Sequence, residues 1–188
     1  HLRPEAPDVV KPATLEHVQR LIPYEPTDAL VLDAAARLHL ELFVTQGEAK
    51  RQGSLLHTLD DAVSSMGGRC IARWLAYPSR DRTTITARHD AVAALLAQPT
   101  HIDEARTALR NMSDIERLAG RVSLGRVHAK EVAALRNSLA AVPALMKPLA
   151  ALGGRLAELA AVDAQTELLA HLQEALLDEP STDLNSGR

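Results

Sequence analysis

Aromatic side chains are nearly missing from this chain: one Trp, two Tyr and one Phe, 2% of 188 residues. A single-strand nucleic-acid platform stacks bases on several aromatics, so that class is disfavoured. Strand-rich cores also lean on aromatic and β-branched residues, so the shortage favours helices. Cys70 is the single cysteine. It excludes an internal disulfide, and a reducing compartment, the cytoplasm, is the expectation. No apolar run is long enough to span a bilayer and no secretory signal is present, so no membrane partner is expected. The chain starts at His1 without an initiator Met and ends in a polar tail, so it reads as a piece of a longer protein.

Chemical motifs are missing as well. There is no G-x-x-x-x-G-K-[ST]; the nearest approach, Gly47 to Gly53, has the wrong spacing. Without that loop a nucleotide phosphate has no backbone cradle. G-x-G-x-x-G, H-E-x-x-H and C-x-x-C are absent. The eight histidines are scattered, with no i, i+4 pair and third ligand to suit a metal. Asp60-Asp61 reads as capping or solvated surface, since helical neighbours point about 100° apart. Asn111-Met112-Ser113 fits a glycosylation sequon, without any sign of secretion. The sequence therefore assigns no catalytic, cofactor-binding or metal-ligating residue, and the chain itself reads as no enzyme.

What remains is leucine, alanine and charge. The chain is 46% hydrophobic, and Leu and Ala are strong helix formers. The expectation is an all-α, multi-helix bundle: one core domain over residues 30–180, an extended lead-in over residues 1–29, and an exit segment over residues 181–188. The net charge of −3 hides an asymmetry. Residues 69–136 carry twelve basic and seven acidic groups, while residues 155–188 carry two basic and seven acidic. The basic middle could face a phosphate backbone, or its arginines could be solvated on helix surfaces, the blander and favoured reading.

Residues 54–96 organise the chain. Ser54 is placed to cap a short helix, and Met66-Gly67-Gly68-Arg69 opens a second that carries Ile71, Trp74 and Leu75. Pro78 ends it, because proline lacks an N–H and fixes φ. Asp81 caps a third helix, with Ile85, Val92, Leu95 and Leu96 on one side. Trp74 reads as a core anchor and Cys70 as a buried structural thiol. Gly67-Gly68 suits close packing or a positive φ. Arg69 and Arg73, one turn apart, suit either a phosphate or carboxylates such as Asp60 and Glu116.

Elsewhere a short helix fits residues 14–21. Asp33 caps another through Leu42, with Leu38 and Leu42 one turn apart, and residues 45–53 form a surface loop. Gln98-Pro99 breaks the third long helix. Two helices fit about 101–111 and 114–122, the second capped by Asp114 or Ser113, with a turn between Gly120 and Gly125. Val132, Leu135, Leu139, Val142, Met146 and Leu149 then form a heptad-like seam. Ala133 and Ala141 lie off it. Pro143, Pro148 and Gly153-Gly154 predict a bent or segmented helix. A last helix over 164–177 places Leu168, Leu169, Leu172 and Leu176 on one face, packed back on the run before it.

The order of these features resembles the core domain of the MutS family of DNA mismatch-repair ATPases. The matching residues are Leu55-Leu56, Leu59-Asp60, Met66-Gly67-Gly68-Arg69, Trp74-Leu75, Pro78, Asp81, Ile85-Thr86-Ala87-Arg88 and Val92. Leu32-Asp33 and Leu40-Glu41-Leu42 resemble the entry to that domain. Asp114-Ile115-Glu116-Arg117 resembles its acidic–arginine helix, and Asp178-Glu179-Pro180 its exit toward an inserted clamp. His39, Ser64 and Ser79 depart from the pattern. The resemblance implies a core, or lever, domain that links DNA-gripping parts to an ATPase outside this chain. It implies ATP and Mg for the full-length parent, mismatched double-stranded DNA as its substrate, a dimer, and partners such as MutL. Alternatives are a helical protein-interaction scaffold or a MutS relative outside mismatch repair.

Overall fold

A computed structural model describes residues 29–177. About two-thirds of them are helical and none forms a strand. The elements are α1 (Ala34–His39), α2 (Leu55–Leu59), α3 (Ser65–Ala76), α4 (Arg82–Leu96), α5 (Pro99–Arg110), α6 (Ile115–Ser123), α7 (Ala129–Ala151), α8 (Gly154–Ala160) and α9 (Thr166–Ala175). The all-α expectation holds. The proposed helix at 14–21, the lead-in before Ala29 and the exit from Asp178 onward lie outside the described residues.

Side-chain caps set most helix starts. The Asp33 carboxylate accepts from the Ala36 amide at 2.6 Å, and the Ser54 hydroxyl from the His57 amide at 3.2 Å. Asp81 accepts from the Thr83 and Thr84 amides at 3.2 and 2.8 Å. Ser64, which the sequence reading passed over, caps α3 by accepting from the Gly67 amide at 3.2 Å. Each satisfies an amide that the first helical turn leaves unpaired. Pro99 starts α5 rather than only breaking α4, since the first helical position needs no N–H.

Several expectations are corrected. Helix α1 stops at His39, because Glu41 turns to φ +48°; Leu38 and Leu42 thus share no helix, and Leu42 is buried while Leu38 is exposed. In α4 the inward stripe is Ile85, Arg88, Ala91 and Leu95, and Val92 and Leu96 face outward. Gly120 lies inside α6, and only Gly125, at φ +63°, terminates it. Trp74 is 44% exposed rather than an anchor. The one-turn spacing of Ile71 and Leu75 turns them inward and leaves Trp74 on the outer side. Cys70 is half-buried.

The largest correction concerns α7. It runs as one helix of 23 residues through Pro143 and Pro148, so the segmentation expected there is corrected, while the break expected at Gly153-Gly154, both at positive φ, is present. A proline inside a helix costs about 3 kcal/mol, so packing must offset it. α7 lies against α5, α6, α8 and α9, and Leu139, Val142, Leu145 and Pro148 are all buried. Ala105 and Ala108 of α5 meet Leu145 in the core, joined by Leu109, Met112, Met146 and Leu149. The seam is therefore real but too narrow: Ala133, off it, is buried too. α9 packs back on α7 as expected, through half-buried Leu169, Leu172 and Leu176, with Leu168 outside.

Ser138, fully buried on α7, fixes this packing. Its hydroxyl donates to the Ala134 carbonyl at 2.7 Å and accepts from the Ser113 amide at 2.9 Å, pinning the α5–α6 turn. Ser138→Ala leaves the Ser113 amide without its acceptor and should cost about 1–3 kcal/mol. Trp74→Ala, at the surface, should cost less than about 1 kcal/mol. Urea denaturation of both variants checks the ranking; a larger loss at Trp74 would contradict the placement.

Candidate functional site

Two of the stretches singled out in the sequence, Met66 to Arg69 and Asp114 to Arg117, meet through Arg69 at the junction between α3 and α6. Helix α3 packs along α2, while α4 to α9 pack among themselves. Arg69, one turn into α3, reaches across to the N-terminus of α6. Its two terminal nitrogens lie 2.6 and 2.8 Å from the two Asp114 oxygens, and Nη2 also lies 2.6 Å from Glu116 Oε2. A forked guanidinium matched to one carboxylate is the strong form of this bond. The Ser65 hydroxyl donates to Asp114 at 2.9 Å, and the Arg117 amide donates to it at 3.2 Å as the cap of α6. One carboxylate thus starts one helix and ties down another.

Exposure separates the two acidic partners. The Glu116 side chain is 73% exposed, so solvent and salt screen its share. The Asp114 side chain is 16% exposed, and the Arg69 fork shields it. Hydrogen bonds from Arg69 above all, then Ser65 and the Arg117 amide, hold the Asp114 carboxyl well below the usual carboxylate range against partial desolvation. The same bonds, to Asp114 first and Glu116 second, raise Arg69.

The other sequence candidates find separate places. Asp60 and Asp61 diverge: Asp60 pairs with Arg51, and Asp61 lies 3.1 Å from Arg106, a second tie between the two groups of helices. Gly68 permits the first of these, because a Cβ there would sit 3.2 Å from the Asp60 carboxylate; neither Gly67 nor Gly68 has positive φ. Of the carboxylates proposed for Arg69, Glu116 is a partner and Asp60 is not. Arg73 lines the same shallow cleft as Arg69 and Glu116, with Nη2 4.0 Å from the Cys70 sulfur. Of the twelve basic groups in the middle, Arg69, Arg106, Arg117 and Arg121 are in ion pairs and Arg88 is stacked on Trp74 at 4.1 Å.

A second arginine was missed. Arg136 of α7 is buried, and its Nη1 lies 3.3 and 3.2 Å from the Leu176 and Leu177 carbonyls at the end of α9. The sequence reading gave it no role, because an arginine between apolar positions gives no sign of the carbonyls it will meet. Among the described residues no group of three His, Cys, Asp or Glu is placed to hold a metal, and no helix is long and apolar enough to cross a membrane.

Comparison with known proteins gives these residues a family. The family model described as MutS domain III matches residues 35–188. The chain belongs to the MutS family. It is similar to the DNA mismatch repair protein MutS of Halothermothrix orenii, 38% identical over 93% of this chain and 20% of that protein. The MutS of Anaeromyxobacter dehalogenans is 41% identical and that of Symbiobacterium thermophilum 38%, with the same coverage. The chain thus spans about a fifth of the length of these curated relatives. The junction residues Ser65, Arg69, Asp114, Glu116 and Arg117 all lie within the matched range.

The junction should show in acid. Asp114 titrates lower in the folded chain than the unfolded value of about 3.9, so its contribution is present above that value and lost as pH falls below it. Asp114→Asn should therefore be less stable than the parent chain near pH 7, with the gap narrowing toward pH 2. Chemical denaturation at pH 7, 4 and 2.5 measures this; a gap that does not change with pH would contradict the assignment.

Proposed function

We propose that this chain is the core, or lever, domain of a MutS-type mismatch-repair protein, mechanically linking DNA-gripping parts to an ATPase outside the chain. The observation that carries it is the match to MutS domain III on a fold whose long α7 acts as a spine. At about 1.5 Å per residue, 23 residues give a helical path of about 35 Å. Polar ties sit along it. Glu131 lies 3.1 Å from Arg121 of α6, Ser138 holds the α5–α6 turn, and Arg136 holds the end of α9. A shift at the end of α9 would reach α7 through Arg136, and the α6 N-terminus would pass it to α3 through Arg69.

On this reading the chain binds and orients rather than reacts. ATP and Mg, mismatched double-stranded DNA, dimerisation, MutL-type partners and a cytoplasmic setting belong to the full-length parent. The relatives named as mismatch repair proteins support this over a scaffold or a MutS relative outside repair.

Stiffness of α7 is the testable part. Ala140 and Ala144 are exposed positions on it. Ala→Gly at both should cost about 2 kcal/mol in total and loosen the helix. A full-length parent with both changes should fold and hydrolyse ATP without DNA, yet discriminate less between matched and mismatched duplex, because coupling is a modest free energy carried by a connected element. Steady-state hydrolysis with no DNA, matched DNA and mismatched DNA measures it. An unchanged response in a variant shown to be destabilised would remove α7 from the route.

A further inference from the structure

The corner where α6 turns into α7 carries charge of one sign. From residue 117 to residue 130 the chain has four basic residues, Arg117, Arg121, Arg126 and Lys130, and no acidic one. All four are exposed. Helical spacing puts Arg117, Arg121 and Leu124 on one side of α6. The turn then folds the chain back on them. The Gly125 amide donates to the Val122 carbonyl and the Arg126 amide to the Arg121 carbonyl, each at 2.9 Å, the paired hydrogen bonds that close a helix over a left-handed glycine. Arg121 Nε in turn donates to the Arg126 carbonyl at 3.1 Å. Two arginines of like charge are thus tied into one turn.

Internal carboxylates answer only part of this charge. Arg117 lies 3.4 Å from Asp114, whose two oxygens already face Arg69, and Arg121 lies 3.1 Å from Glu131. Glu116 is committed to Arg69. The side chains of Arg126 and Lys130 have no hydrogen-bond or ionic partner among the described residues. Two aliphatic side chains stand among these cations: Leu124 is 52% exposed and Val122 43%. That mixture decides the partner. A phosphate backbone would pair with the arginines and leave Leu124 and Val122 in water, because its contacts are polar. A polypeptide with both carboxylates and aliphatic side chains answers both, and arginine clusters are a recurring device for acidic segments.

We propose that the α6–α7 corner is a docking site for an acidic, aliphatic segment of another protein, its carboxylates meeting Arg121, Arg126 and Lys130 and an aliphatic side chain covering Leu124. The occupant would sit on the helix whose first turn holds Arg69 and at the end of α7 away from Gly153-Gly154. The inference stands apart from the coupling role, because it needs neither DNA nor ATP.

The probe is a short labelled helical peptide with glutamates along one face and leucines beside them, titrated against the full chain and followed by fluorescence anisotropy. Arg126→Glu/Lys130→Glu removes no contact within the described fold, and should weaken binding about tenfold at low salt, less at high salt. Arg80→Glu/Arg82→Glu, an equal charge change at the exposed start of α4, should weaken it less than about twofold. Leu124→Ser should weaken it about threefold and leave binding of an all-glutamate peptide unchanged. Far-ultraviolet spectra confirm that each variant keeps its helices. Absence of saturable binding would overturn the proposal, as would equal losses in the two charge-reversed variants, which would mean diffuse attraction alone. Insensitivity to Leu124→Ser would overturn it too, and short duplex DNA bound more tightly than the peptide would assign the corner to a phosphate backbone instead.

Discussion

The structure depends on a charge-assisted fork, Arg69 against Asp114. Backbone packing unites α4 to α9, and α2 with α3, but it does little to unite the two groups. The join is made by side chains: Arg69 with Asp114 and Glu116, Ser65 with Asp114, Arg106 with Asp61, and Arg88 with Trp74. Such links are directional where apolar packing is not. They hold the two groups at a set distance and orientation. For a domain that connects moving parts, that is a useful kind of joint.

Asp114 is economical because it serves both sides. As the cap of α6 it needs a free carboxylate oxygen toward the Arg117 amide, and as the partner of Arg69 it needs both oxygens toward α3. A carboxylate has about four acceptor sites, so the demands are compatible. The helix end it occupies also favours negative charge. Asparagine could keep part of the cap but not the charge, and glutamate would set α3 one carbon further away.

Local signals were legible in the sequence wherever chemistry is local. Ser54, Asp81 and Asp114 were read as caps because a polar side chain before a periodic run has one obvious use, and each proved so. The helical class followed from leucine and alanine. Tertiary packing was less legible. Pro143 and Pro148 look like breaks, yet α7 continues because α5, α8 and α9 press on it along its length. Trp74 looks like core because Ile71 and Leu75 flank it at helical spacing, while its place on α3 turns it outward. The motif Met66 to Arg69 and the motif Asp114 to Arg117 were both visible, and Glu116 was named among the partners open to Arg69. Asp114 as the principal partner was not, because sequence spacing does not say which ends of two helices meet. Arg136 was hidden for the same reason.

Hydrogen exchange on the Arg69→Met variant tests the central claim most directly, since methionine keeps the apolar stem and removes the fork. If side chains hold the two groups together, amides of α3 should exchange markedly faster than in the parent chain, while those in the middle of α5 and α7 keep their protection. Unchanged exchange in α3, or an equal loss in every helix, would contradict the account.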